Sequence, residues 1–264
     1  MSETSEATHR GLVTVSQIGN VAHLRFDRPE KRNALNDATI TAIDEFFSSP
    51  PAAVRAIVLS GAGGHFSSGL DLSEQVHREP LAVMAHSRNW HRVMELLQNS
   101  PVPVIAAMTG AVMGGGLELA AACHVRLAEE GVQFRMPEGL RGIFVGGGGS
   151  VRISRLIGSD RLIEMMLTGR IYSGAEGERI GLAHYVVPEG RALEKAFELA
   201  HRIAENSPAI NQFIIQAIGK IAAMPPEAGL YAESLTAALS QTGPDAEEGL
   251  RAFLEKRKPV FGRS

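Results

Sequence analysis

Residues 104–119 have the sequence VIAAMTGAVMGGGLEL. The run over residues 104–108 is apolar, as in a strand buried on both faces, and Gly110 interrupts it. Residues 114–116 are glycines that lead into a helix predicted over residues 117–123. The first amides of such a helix have no intrahelical partner, and glycines let a ligand approach the backbone closely. The stretch therefore predicts a strand, a turn and a helix N-terminus that favours a phosphate or an oxyanion.

The segments on both sides of this stretch alternate between strands and helices. Short apolar or alternating runs predict strands over residues 12–16, 21–27, 55–60, 125–128 and 133–136. Helical periodicity predicts one helix over residues 37–47, with Asp37 as its N-cap, and another over residues 81–97. Beyond residue 149 the pattern is helical, over residues 150–156, 160–167, 175–180, 193–204 and 209–222.

This alternation predicts an α/β protein built from repeated β-β-α units, with a helical C-terminal part. We assign residues 11–190 to the β-β-α core, which would carry the functional site. Residues 191–264 form a helical subdomain, and the apolar faces of its helices suggest a role in oligomerisation. Residues 1–10 are polar and are expected to be a disordered lead.

Composition excludes several classes of function. The formal net charge of the 264 residues is −3, and the basic residues are scattered, so there is no electrostatic footprint for nucleic acid. Cys123 is the single cysteine and lies in an apolar run, which predicts a buried thiol rather than a disulfide or a zinc site. Prolines and glycines interrupt the uncharged stretch over residues 99–117, so it does not resemble a membrane span. We expect a soluble, cytoplasmic protein without a metal and without nucleic-acid or membrane partners.

Two further segments carry residues suited to chemistry. Residues 65–72, HFSSGLDL, form a tight turn directly after a predicted strand, and residues 134–142, FRMPEGLRG, place Glu138 just beyond a strand end. Glu118 lies among leucines and alanines, where a charge is rarely buried without a partner or a task. Taken singly, each glycine turn is equally compatible with packing, and each glutamate with a surface or helix-dipole role.

Nucleotide-binding and hydrolase motifs are missing from the sequence. The glycines at 114–116 lack the GxGxxG spacing of a Rossmann-type oxidoreductase, and no glycine run is followed by the GK[ST] of a P-loop. Ser67 and Ser68 are not in a GxSxG motif, which disfavours a serine hydrolase.

In their order and spacing, the segments resemble the crotonase (enoyl-CoA hydratase/isomerase) family nearly from end to end. Residues 27–36, DRPEKRNALN, are similar to its N-terminal CoA-binding strand and loop. Residues 66–72 and 110–118 resemble its two oxyanion segments, and Pro137-Glu138 with the glycines at 146–149 resembles its catalytic acid segment. The motifs at 168–170 and 175–182 also fit, and residues 253–257 are similar to its closing helix. The resemblance implies the crotonase spiral of β-β-α units.

The resemblance also implies a role for each matching residue. The backbone amides of Leu70 and Gly115 match the oxyanion hole, which stabilises the enolate of a thioester. Glu118 and Glu138 match the two glutamates of true hydratases, and of two carboxylates that share one water, one should carry a raised pKa. The residues that match CoA-binding positions are Lys31, Arg32, Ala34, Ser68, Asp71, Leu72, Phe253 and Lys256.

The pair of glutamates favours an enoyl-CoA hydratase, which adds water syn to a 2-enoyl-CoA thioester and gives 3-hydroxyacyl-CoA. One alternative is a Δ3,Δ2-enoyl-CoA isomerase, in which Glu138 alone shuttles a proton. Another is a non-catalytic acyl-CoA-binding member of the fold. The resemblance further implies a homo-oligomer, either a trimer or a dimer of trimers, and no cofactor other than the coenzyme A of the substrate.

Two features of the sequence depart from the family pattern or leave a choice open. Arg135 and Arg141 flank Glu138, and either would lower the pKa of Glu138 if it faced inward; Gly139 replaces a bulkier residue. The helix over residues 81–97 carries an apolar stripe, which lines an acyl tunnel or is plain core. Its members are Met84, Trp90 and Met94.

Overall fold

The structure is a computed structural model that describes residues 4–9, 11–74 and 79–262. Within these residues the strands are β1 Thr4–His9, β2 Val13–Ile18, β3 Val21–Phe26, β4 Ala56–Gly61, β5 Val104–Met108, β6 Ala111–Met113, β7 Val125–Glu129, β8 Gln133–Arg135 and β9 Tyr185–Val187. The helices are α1 Asp37–Ser48, α2 Pro80–Gln98, α3 Gly115–Ala121, α4 Gly149–Ile157, α5 Ser159–Thr168, α6 Gly174–Ile180, α7 Ala192–Ala204, α8 Pro208–Ile221, α9 Pro226–Gln241 and α10 Pro244–Leu254. Short 3-10 turns lie over Pro29–Lys31, Leu72–Glu74 and Gly139–Arg141.

The strands form one large mixed sheet and one small sheet. The large sheet has the order β1-β2-β3-β4-β5-β7-β9, antiparallel as far as β3 and parallel from β3 onward. Strands β6 and β8 pair in parallel to form the small sheet. Parallel neighbours need a crossover, and α1 and α2 supply the crossovers from β3 to β4 and from β4 to β5. The predicted α/β class with a helical C-terminal part is confirmed.

The helix boundaries differ from the sequence prediction at three places. Asn36, not Asp37, is the N-cap of α1, and its side chain accepts a hydrogen bond from Thr39 N over 2.9 Å. Helix α3 begins at Gly115, two residues before the predicted start, so two of the glycines are its first residues. The closing helix is α10, which ends at Leu254, and residues 255–257 follow it.

The N-terminal lead contains a strand. Residues 1–3 and 10 lie outside the described part of the chain, but Thr4–His9 form β1 and pair antiparallel with β2, His9 opposite Val13. The polar sequence had suggested disorder. Pairing at a sheet edge depends on backbone groups rather than on side-chain pattern, which explains the difference.

Helix α7 packs directly on the large sheet. Its small residues Ala196 and Ala200 are fully buried against Val58 and Ile105, on the face opposite the main core. This helix is therefore integral to the core by packing, although the sequence placed the domain boundary just before it, after residue 190.

Two predictions about single segments have clear outcomes. Cys123 is buried and unoxidised, and burial raises the pKa of its thiol to about 12, so it is the expected inert core thiol. No helix in the described part of the chain is both long and apolar enough to cross a bilayer.

Candidate active site

The two glycine turns predicted from the sequence meet at the end of the sheet. Ser67 N donates to the Ala111 carbonyl over 2.9 Å, and Met113 N donates to the Ser67 carbonyl over 3.0 Å. Gly69 has a φ of +89°, and a Cβ there would lie 2.5 Å from the Met113 carbonyl and 3.0 Å from Gly115 N. Only glycine allows this approach, because the conformation is left-handed and the space is filled by backbone.

The close approach brings two free amides together. Leu70 N and Gly115 N have no hydrogen-bond acceptor within the described part of the chain. A Cβ built on Gly115 would lie 3.4 Å from Leu70 N, so the two residues face the same small volume. Gly115 also opens α3, where the helix dipole adds positive potential. Two convergent N–H groups at a helix N-terminus can stabilise a carbonyl oxygen that gains negative charge.

Glu118 lies one turn into α3 and is buried, with 3% of its surface exposed. Its Oε1 accepts hydrogen bonds from Gly147 N over 2.9 Å and from Gly149 N over 2.7 Å. Burial raises the pKa of Glu118, while these two amides and the charge of Arg152 lower it in part. The carboxylate is thus held in one orientation and in an environment that eases its protonation.

Glu138 follows β8 and is also buried, with 6% of its surface exposed. Its Oε2 has no hydrogen-bond partner within the described part of the chain. Burial, with a smaller contribution from the charge of Glu118, raises its pKa to about 7. Both glutamates therefore have raised pKa values, whereas the sequence predicts a raised pKa for one of them.

A cavity of about 730 Å³ contains both carboxylates and the two amides. Glu118, Glu138, Leu70 and Gly115 all line it, together with side chains from α2 and from the segment after Glu138. The two carboxyl groups lie close enough for the charge of Glu118 to raise the pKa of Glu138. The arrangement places a pair of carboxylates beside two backbone amides that can donate hydrogen bonds to one ligand atom.

A second cavity of about 370 Å³ adjoins the first. The two share Leu70, Leu72, Gly115, Glu138 and Ile143. Five of the residues predicted to bind CoA line this second cavity, namely Lys31, Ala34, Ser68, Asp71 and Leu72. Any molecule that fills both cavities must place its middle part at the amides and at Glu138.

A buried ion cluster supports this second cavity. Asp71 accepts a hydrogen bond from Arg28 Nη2 over 2.8 Å and one from Lys31 Nζ over 3.0 Å. These contacts, and those from Ser73, hold the pKa of Asp71 well below its usual range against the effect of burial. Asp71 therefore fixes the position of Lys31 at the cavity wall.

Comparison with known proteins gives the family. The model of the family described as enoyl-CoA hydratase/isomerase matches residues 16–264 of the chain. The chain belongs to the crotonase (enoyl-CoA hydratase/isomerase) family.

Individual relatives are similar along nearly their whole length. Enoyl-CoA hydratase EchA19 of Mycobacterium tuberculosis is 33% identical over 254 residues, which cover 94% of this chain and 95% of that protein. The 2,3-dehydroadipyl-CoA hydratase of Escherichia coli is 33% identical over 251 residues, which cover 94% and 97%.

Solved structures of the family match the fold equally well. A provisionally named enoyl-CoA hydratase of Rhodopseudomonas palustris CGA009 superposes with a TM-score of 0.92 at 47% identity, over 96% of this chain and 98% of that one. The enoyl-CoA hydratase of Bacillus anthracis superposes with a TM-score of 0.89 at 33% identity, over 95% and 98%. The predicted crotonase fold is confirmed.

Three residues assigned to CoA binding from the crotonase pattern do not line the two cavities. Arg32 is exposed, and its backbone carbonyl accepts a hydrogen bond from Ser68 N over 2.9 Å. Phe253, which is 80% exposed, and Lys256 lie at the C-terminal end of the chain. Their role in CoA binding stays a prediction that no contact within this chain supports.

Within the described part of the chain, neither arginine beside Glu138 forms an ion pair with its carboxylate. Arg135 Nε donates to the Gly169 carbonyl over 2.9 Å, whereas Arg141 is exposed and lines the smaller cavity. Neither contributes to the pKa of Glu138. The expected weakening of Glu138 as an acid is therefore absent.

Helix α2 forms one wall of the larger cavity. Met84 and Trp90 line the cavity, whereas Met94 is fully buried in the core. A Cβ on Gly115 would lie 2.9 Å from the Trp90 ring, so the indole packs directly against the backbone of Gly115. The apolar stripe thus lines a cavity at Met84 and Trp90 and is core at Met94, and its use as an acyl tunnel stays a prediction.

Two groups at the site were not assigned a task from the sequence. The amides of Gly147 and Gly149 hold Glu118, and the run of four glycines was the visible signal. Asn33, with a φ of +55°, donates to the carbonyls of Ala62 and His65 and so ties the loop over residues 27–36 to the turn over residues 61–72. Asparagine tolerates this conformation better than most residues, which was the signal for it.

Proposed function

We propose that this family member is a 2-enoyl-CoA hydratase. The observation that carries the proposal is the meeting of Glu118, Glu138 and two free backbone amides in one cavity. Hydration of a double bond conjugated to a thioester needs these parts, because one group must take a proton from water and another must supply one to the Cα atom.

In the proposed reaction the thioester carbonyl accepts hydrogen bonds from Leu70 N and Gly115 N. Negative charge grows on that oxygen as water adds to the Cβ atom, and each donor contributes roughly 10²–10³ in rate. The nucleotide part of the substrate occupies the cavity lined by Lys31, Ser68 and Asp71. The acyl chain extends into the larger cavity beside Met84 and Trp90.

The two carboxyl groups divide the proton transfers between them. Ionised Glu118 takes a proton from water as its oxygen bonds to Cβ, and protonated Glu138 gives its proton to Cα. The raised pKa of Glu138, about 7, supports its role as the donor, since a proton is present at neutral pH. The amides of Gly147 and Gly149 support Glu118 as the acceptor, since they favour its ionised form.

A second candidate function is a Δ3,Δ2-enoyl-CoA isomerase. The unpartnered Oε2 of Glu138 and its pKa near neutrality suit a single group that removes a proton from Cα and returns it at Cγ. In that reaction Glu118 would have no direct part. A non-catalytic thioester-binding member would bind 2-enoyl-CoA and 3-enoyl-CoA but convert neither.

Substitution of each glutamate separates these candidates. For a hydratase, Glu118→Gln and Glu138→Gln should each lower the rate of hydration by about 10²–10⁴, followed as loss of the conjugated enoyl-thioester absorbance. The double variant should be little worse than the poorer single variant, because the pair acts as a unit. Glu178→Gln, at an exposed glutamate that lines neither cavity, serves as the control.

For an isomerase, only Glu138→Gln should abolish conversion of a 3-enoyl-CoA, and Glu118→Gln should be mild. A wild-type protein that binds 2-enoyl-CoA and turns over neither substrate would indicate the non-catalytic member. Hydration at the wild-type rate by Glu118→Gln would contradict the two-glutamate mechanism.

A further inference from the structure

Arg152 lies on α4 behind the glycine segment that holds Glu118, and the proposed reaction assigns it no task. Its Nη1 donates to the Gly147 carbonyl over 3.0 Å, and its Nε donates to Gln98 Oε1 over 2.7 Å. The side chain is half-buried. The guanidinium is therefore fixed between α2 and the glycine segment rather than free in solvent.

The contact with Gly147 links Arg152 to Glu118 through a single residue. Gly147 accepts from Arg152 on its carbonyl and donates from its amide to Glu118 Oε1 over 2.9 Å. Gly148 has a φ of +100°, and a Cβ at this residue would overlap the guanidinium of Arg152. The segment 147–149, whose conformation directs two amides at Glu118, thus packs against the side chain of Arg152.

Arg152 also acts on Glu118 by charge. Burial raises the pKa of Glu118, the amides of Gly149 and Gly147 lower it, and Arg152 is the charged side chain that lowers it further. Within the described part of the chain, the other titratable groups around this pair are Glu138, His86, Arg88 and His91 on the side of the larger cavity, and Glu95, Arg155 and Lys220 beside the guanidinium.

We propose that Arg152 is a positioning residue for Glu118. It holds Gly147–Gly149 so that two amides point at the carboxylate, and its charge favours the ionised form that takes a proton from water. This inference rests on the proposed hydration, in which Glu118 is the proton acceptor.

The test compares Arg152→Met and Arg152→Lys with the control Arg155→Met, at an exposed arginine on the same helix. Arg152→Met should lower kcat for 2-enoyl-CoA by about 10- to 100-fold, the effect of hydrogen bonds to charged groups, with KM within threefold. The acid limb of its kcat profile should move to higher pH, because Glu118 then protonates more readily. Arg152→Lys keeps the positive charge, so the acid limb should return toward its wild-type pH. It should recover kcat only in part, because an ammonium group lacks the planar geometry with which the guanidinium donates to both Gln98 and Gly147. Arg155→Met should behave as wild type.

A double-mutant cycle shows whether the effect passes through Glu118. In a Glu118→Gln background, Arg152→Met should cost little more, since the group that it positions is gone. A full additional loss in that background would overturn the proposal. So would a kcat for Arg152→Met within twofold of wild type, or an acid limb that does not move.

A measurement independent of turnover separates this inference from the proposed function. The Glu118 carboxyl carbon, labelled with ¹³C and assigned by its loss in Glu118→Gln, can be titrated by NMR in folded wild-type and Arg152→Met proteins. A higher pKa in Arg152→Met supports the positioning role, and an unchanged pKa overturns it. An inactive wild-type protein with this pKa difference would refute the hydratase and leave the role of Arg152 standing.

Discussion

At the scale of single residues, the protonation of Glu138 decides what the site can do. With a pKa of about 7, the carboxyl group is protonated in roughly half of the molecules at neutral pH. A carboxyl group with the ordinary glutamate pKa of 4.5 would be almost fully ionised at neutral pH and would have almost no proton to give. The cause is burial, to which the nearby Glu118 adds, so the property belongs to the pocket and not to glutamate as such.

The pH dependence of kcat/KM follows from this protonation. A proton donor works only in its protonated form, so activity should be lost as pH rises through about 7. The acceptor Glu118 works only when ionised, so activity should also be lost as pH falls through its raised pKa. A bell-shaped profile for 2-enoyl-CoA hydration is expected, with values that belong to the coupled pair. In Glu138→Gln the alkaline limb should disappear; its persistence would show that another group donates the proton.

At the scale of elements, the packing of the two glycine turns can be tested with a matched pair of substitutions. Gly64 and Gly69 lie in the same loop with φ values of +77° and +89°, but only Gly69 has backbone within reach of a new Cβ. Gly64→Ala should cost about 1–2 kcal/mol of unfolding free energy for its left-handed conformation. Gly69→Ala should cost roughly 1–3 kcal/mol more, the usual effect of overpacking, and should weaken thioester binding. Denaturant unfolding and calorimetric titration measure the two effects, and equal losses in both variants would contradict the close approach of the turns.

The long elements could be predicted from the sequence because their periodicity extends over many residues. Helix α2 was expected over residues 81–97 and is Pro80–Gln98, and β5 was expected with the bounds it has. Strand β9 and helix α9 were not assigned, and of α10 only the last residues were expected, from the resemblance to the family's closing helix. Strand β9 has three residues, too few to show a period, and α9 leaves most of its apolar side chains exposed, so its pattern has no clear buried face.

The parts of the site that consist of backbone in a recognisable glycine motif could be predicted from the sequence. The directions of individual side chains could not. The turns of Gly69 and Gly115 were visible as glycines after strands. The directions of the Arg135 and Arg141 side chains were not visible in the sequence, because they depend on contacts with residues distant in the chain, such as that of Arg135 with Gly169. The link from Arg152 to Glu118 likewise appears only when α4 packs behind α3.

At the scale of the whole molecule, the C-terminal helices carry large apolar side chains that no other part of the described chain covers. The exposed side chains on α8 and α9 include Ile214, Ile218, Leu230, Tyr231, Leu235 and Leu239. Large apolar patches of this kind mark contacts between proteins. We therefore expect a homotrimer or a dimer of trimers in sedimentation at micromolar concentration. A monomer under those conditions would show that these helices have another use.

The two amides that face the larger cavity belong to the main chain, and this has a consequence for how such a protein changes over generations. Point mutations replace side chains, so substitutions at Leu70 that keep the turn preserve the N–H group. Glu118 and Glu138 are open to replacement one codon at a time. During evolution the reacting carboxylates could therefore be replaced while the proposed hydrogen bonds from the main chain to the thioester were kept. A new reaction would then begin in a protein that already binds its substrate. Randomised libraries at positions 118 and 138 should accordingly be rich in binders and poor in hydratases.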